Sequence, residues 1–141
     1  MTAGVSATHH WQRATAGQTK AIRFGPVKYN GTTQNLTGAT VVLATIRAGY
    51  AYGYDHWPYA PSTSLGPQQD ELTLENEACT VPTQSSNKGY VDWTPGATDL
   101  EVPGEYAIQL TITESGGGIY YWPESLGSVG LSVSPRLASA D

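Results

Sequence analysis

Cysteine is nearly missing from this chain: of 141 residues, only Cys79 is one. An internal disulfide is therefore excluded, and so is a zinc site built on several thiolates. Charge is scarce too. Lys plus Arg number 7 and Asp plus Glu 12, giving −5 with histidine neutral, and charged residues make up 13% of the chain. There is no basic run, so the phosphate-neutralising stripe of a nucleic-acid binder is lacking and no nucleic-acid partner is expected. No apolar run approaches the roughly 18–20 residues that cross a bilayer as a helix, and no membrane partner is expected. Residues 1–13 (MTAGVSATHHWQR) have neither a basic start nor an apolar segment of export-signal length, so no such signal is expected.

Catalytic equipment is equally thin. A Gly-x-Ser-x-Gly elbow is absent. Asp55-His56 pairs an acid with a base but places no nucleophile opposite them. His9 and His10 are half a zinc shell. Asp70, Glu71, Glu75 and Glu77 lack the spacing of a calcium loop, and Glu75 and Glu77 are expected to share one face of an exposed strand. Gly116–Gly118 lacks the lysine of a phosphate loop. Asn30-Gly-Thr and Asn35-Leu-Thr match glycosylation acceptors by chance in a Thr-rich chain. The expectation is a non-enzymatic protein with no catalytic residue, metal or cofactor.

What the chain does have is β pattern. At 39% hydrophobic it can fill one core, and its length fits one domain. Residues 39–47 (ATVVLATIR) are β-branched and nearly continuous in apolar character, which predicts a central strand. Residues 20–24 and 27–29 form two short runs, the second closed by Asn30-Gly31. Leu72 and Leu74 mark another strand, and residues 78–81 a short one. Val91 and Trp93 alternate against Tyr90 and Asp92. Tyr106, Ile108, Leu110 and Ile112 alternate with Ala107, Gln109, Thr111 and Thr113, a half-buried strand at period two. Gly116–Gly118 turns it into residues 119–122, and residues 129–133 form the last strand before Pro135. Cys79 reads as a small buried hydrophobe on a strand. No segment carries helical periodicity. Seven or eight short strands predict an antiparallel β-sandwich, with a closed barrel as the alternative.

The most specific local feature is residues 99–106 (DLEVPGEY). A Pro-Gly turn followed at once by a tyrosine and an alternating strand is how sandwiches enter a late central strand, the hydroxyl bonding back to the corner. With residues 39–47, 89–95 and 122–133 (WPESLGSVGLSV), this segment completes an ordered set covering roughly residues 20–134. The set resembles an immunoglobulin-like domain of tailed-phage virion proteins, and is most similar to the N-terminal domain of phage upper-baseplate proteins. The resemblance implies a rigid immunoglobulin-like β-sandwich adaptor without enzymatic activity that holds receptor-binding or fibre proteins on the virion. Members of that family continue into a fibre or coiled-coil segment, which these 141 residues do not include. A tail or baseplate adaptor, a head–tail component and a capsid decoration protein therefore all fit. The implied partners are other virion proteins, with oligomers only within the assembly. The implied location is the virion, and the host cytoplasm before assembly.

Two segments fall outside the sandwich pattern, which is expected over residues 19–135 with residues 136–141 as a frayed tail. An insertion at residues 48–69 carries Tyr50, Tyr52, Tyr54, His56, Trp57 and Tyr59, with prolines that no helix tolerates. Such rings suit self-packing, protein contact or, as a function of another class, stacking on a glycan. Residues 1–18 show neither alternation nor turn chemistry and read as an arm, mobile in the isolated protein and ordered on a neighbouring subunit. His10, Trp11 and Arg13 are its anchors, Trp and Arg being interface types. Deleting this arm is expected to leave melting behaviour nearly unchanged.

Overall fold

The computed structural model describes residues 10–47 and 72–137, and among them every regular element is a strand. The centre is a long antiparallel pair, β5 (Thr40–Arg47) and β8 (Gly104–Thr113), in register from Thr40↔Thr113 to Arg47↔Tyr106. The other side of β8 is shared by two strands in succession. β10 (Val129–Ser134) pairs with its first residues and β9 (Ile119–Trp122) with its last. The polar break between them begins at the cis peptide Trp122-Pro123. β6 (Leu72–Ala78) flanks β5, and β1 (His10–Thr15) flanks β10 in parallel, which gives a six-stranded sheet.

A second sheet pairs β2 (Ile22–Phe24) with β7 (Val91–Trp93), Ile22 opposite Trp93. The chain passes from the larger sheet to the smaller over two residues. The Cys79 N–H donates to the Val41 carbonyl at 3.0 Å, and Thr80 bridges to Asp92. The short strand expected at residues 78–81 is reduced to that crossing. β3 (Lys28–Tyr29) and β4 (Thr32–Thr33) form a small hairpin. Its turn residues Asn30 (φ 51) and Gly31 (φ 80) take the positive φ values that the Asn-Gly pair favours.

Both sheets supply one core. Phe24, Val91 and Trp93 from the smaller meet Leu43, Ile108, Leu110 and Leu131 from the larger, all fully buried. The expected alternation on β8 holds, with Tyr106, Ile108, Leu110 and Ile112 in the core. The arrangement is all-β and consistent with a sandwich. Ten strands are described, more than the seven or eight expected. The excess comes from β1, which was expected to be part of an arm, and from β4, the second two-residue strand of the hairpin.

The arm expectation is corrected for its second half. Residues 10–15 form a continuous parallel ladder with residues 129–134 of their own chain. Ala14 and Ala16 belong to the core. The physical reason lies in the partner strand: Trp11 stands opposite Gly130, where no side chain competes for the space. Residues 1–9 lie outside the described residues.

Candidate functional site

The anchors expected in the arm sit on β1, at the edge of the larger sheet. The Trp11 ring lies over Gly130, and its Nε1–H donates to the Gly127 carbonyl at 3.2 Å. Trp11 is thus committed to its own sheet, with its ring half-buried there. Arg13 pairs across with Ser132 and is exposed. His10 pairs with Val129 through the backbone. Tyr50, Tyr52, Tyr54, His56, Trp57 and Tyr59 all lie outside the described residues.

The outer face of the larger sheet is the surface that these strands build. On β8 it carries the residues out of phase with the core, Gln109, Thr111 and Thr113. Their partners on β5 are Ala44, Val42 and Thr40, and on β9 Tyr121 and Ile119 stand beside Thr111 and Thr113. None of these side chains is charged. Tyr121 is 54% exposed and Ile119 58%, large values for apolar groups inside strands. Further along the face, Ala107 and its partner Ile46 are buried without belonging to the inter-sheet core. There Gly130 is the partner of Ala107 and lies under Trp11. The face is covered at the Trp11 end and open at the Tyr121 end. A flat, uncharged, partly aromatic surface of this kind can bind by contact and offers no group for proton transfer.

Several other polar groups have structural roles. The Tyr106 hydroxyl donates to the Val102 carbonyl at 2.7 Å, the corner bond expected from residues 99–106. On the smaller sheet the Arg23 guanidinium grips Asp92 with two bonds, at 2.7 and 3.0 Å, and reaches Asn87 at 2.8 Å. Its pKa is raised by that bond, and an exposed cross-strand pair of this sort contributes little. Asn35 accepts from Thr37 at two atoms, a local turn. Gln84, which sequence reasoning passed over, is buried at 6% exposure. Its Oε1 accepts from the N–H groups of Leu36 and Gly89, and its Nε2 donates to the Pro82 and Tyr90 carbonyls, so it satisfies four backbone groups at once. A lone Gln in a Thr- and Ser-rich loop gives no pattern by which to find it.

Glu75 and Glu77 do not behave as an alternating pair. Glu77 faces Leu43 while Leu74 faces Thr45, so two residues, Glu75 and Asn76, stand against the single Ala44. Asn76 has φ 57. This bulge breaks the period on which a shared strand face depended. Burial raises the Glu77 carboxyl, the nearby Asp99 adds to the effect, and a hydrogen bond from Trp93 opposes it. Asp70 and Glu71 lie outside the described residues. Among the described residues no group of three or more His, Cys, Asp or Glu side chains is placed to hold a metal. Cys79 stands just past β6, half-buried, with its thiol pushed up to about 12 by burial and then by Glu77 and Asp92. That environment makes the thiol inert rather than reactive. A cleft of about 210 Å³ is bordered by Arg47, Asp99 and Val102, and a more open one of about 410 Å³ by Thr37, Pro82 and Gln84. No described helix is long and apolar enough to cross a membrane.

No protein-family model matches this chain, and no curated protein matches it. Among solved structures, the chain is similar to CopC from Methylosinus trichosporium OB3b, over 95% of this chain and 92% of that one, at 12% identity and a TM-score of 0.39. A likeness of that size carries no argument about fold family or function.

Proposed function

We propose that this chain is a non-enzymatic structural component of a tailed-phage virion, an immunoglobulin-like adaptor that mediates protein–protein assembly in the tail or baseplate. The observation that carries the reading is where the quoted motif pieces fall. Residues 39–47 supply β5, residues 99–113 the corner and β8, and residues 122–133 the break and β10. These are three neighbouring strands of one sheet. Residues 89–95 supply β7 of the facing pair. In an immunoglobulin-like assignment β2 and β7 take the B and E places, and β5, β8 and β10 the C, F and G places. The Tyr106–Val102 bond then takes the place of the tyrosine corner at the start of F. The parallel β1–β10 pair extends the same sheet.

The test is the content of purified particles. Phage particles banded from a lysate of the producing host should contain this chain in fixed stoichiometry by quantitative mass spectrometry. Its density in a map of the particle should lie in the tail or baseplate. Density on the head would move the protein to the decoration role, and absence from the banded particles would remove the virion reading altogether.

A further inference from the structure

We infer that the open half of the outer sheet face, centred on Thr111 between Val42 and Tyr121, is a weak docking surface for a second copy of this chain. This contact follows from the face itself, whatever the role of the chain. A surface that meets its own copy about a two-fold axis puts each residue against its own kind or its symmetry mate. Any net charge on it would be doubled across the contact, and like charges facing each other oppose association. The chain as a whole is acidic, with a net charge of −5, yet the cross-strand rows from Val42 through Thr111 to Tyr121 hold no ionisable group that is charged at neutral pH. The acidic residues stand outside these rows, Glu75 on β6 beyond Ala44 at the border of the patch. Glu105 is at the far end of β8, accepting from Ser132.

Shape and exposure agree with this occupant. Ala44 and the threonines keep the centre of the face low, so two sheets can approach closely. At its border Ile119 and Tyr121, 58% and 54% exposed, offer the apolar and amphipathic groups that interface centres favour. Size sets the strength. Three strands about 4.8 Å apart and up to about seven residues long give a patch of roughly 300 Å². A stable interface takes about 800 Å² from each partner, so this one belongs to the weak, reversible class. The isolated protein is then monomeric when dilute and dimeric when concentrated.

Sedimentation equilibrium of the full chain from micromolar to millimolar concentration tests this. The weight-average mass should climb from the monomer value towards twice that value. Thr111→Lys and Thr111→Glu, surface changes that keep the circular dichroism and Tm of the parent, should each hold the protein monomeric over the whole range. An equal mixture of the two should recover association, because the axis brings opposite charges together. A parent that stays monomeric at every concentration overturns the inference. So do single variants that associate like the parent, and so does a mixture that stays monomeric.

Discussion

The two flanks of the larger sheet were built in opposite ways. β1 has no alternation of its own and contains residues suited to an exposed tail. Even so, it makes an unbroken six-residue ladder with β10, with Trp11 over Gly130 and Ala14 in the core. β6 has a readable strand pattern in Leu72 and Leu74, yet its pairing with β5 shifts register twice and bends at Asn76. Its residues are exposed or only half-buried. An edge strand is fixed by what its neighbour leaves free, and only weakly by its own sequence period. Gly130 leaves room and Trp11 takes it.

That contrast is open to measurement. Leu110 is fully buried, and Leu110→Ala sets the scale for a core loss at about 2–5 kcal/mol in chemical denaturation. Removal of residues 1–18 should approach that scale, at about 2–4 kcal/mol, since it strips a strand, two core alanines and the Trp11 contact. This reverses the outcome expected of a mobile arm. An unchanged Tm would detach β1 from the fold and break the comparison. Gly130→Ala sharpens it. A methyl there would lie 2.5 Å from the Trp11 ring and 2.5 Å from the Tyr106 carbonyl oxygen. Overpacking of that kind costs about 1–3 kcal/mol. Combining Gly130→Ala with the truncation should cost less than the sum of the two, because the truncation removes one of the clashing groups. Strict additivity would mean that the Trp11 seat does not hold the edge.

Tyr106→Phe probes a point that neither flank touches. It deletes the bond to the Val102 carbonyl while keeping the ring, and should cost about 1 kcal/mol. A loss as large as that of Leu110→Ala would mean that the corner carries more than one hydrogen bond.

What could be read in the sequence divides along the same line. β5 and β8 were legible because each carries its own signal: a β-branched run in one and strict alternation in the other, both satisfied by a two-sided environment. The corner at residues 99–106 was legible because Pro-Gly-x-Tyr is local chemistry. β1 was not legible, because its cause sits 119 positions away at Gly130, in a strand that shows only a small residue there. Nor was the bulge in β6, since Asn76 looks like any polar edge residue until its partner register is known. The outer face fell between these cases. Its β8 residues show in the sequence as the polar half of an alternation, but their lack of charge takes on meaning only when β5, β8 and β9 align them.

The smallest expected effect lies on β6, where the bulge turns Glu77 towards Leu43 and into the reach of Asp99. Burial, then the Asp99 charge, raise its carboxyl, so folding favours the protonated form. A raised carboxyl contributes its stabilisation fully below the ordinary carboxyl range. The contribution is lost as the pH rises through the raised value, and at neutral pH the ionised Glu77 is a small liability. Glu77→Gln keeps an oxygen to accept from Trp93 and removes the charge. At neutral pH the variant should be slightly more stable than the parent, by no more than about 0.5 kcal/mol for a position this near the surface. The advantage should shrink towards zero on acidification, as the parent becomes protonated. Paired thermal melts across that range decide the matter. A variant less stable at neutral pH, or a gain that persists unchanged in acid, would mean that the bulge does not press Glu77 against Asp99, and β6 would then be a looser edge than its register implies.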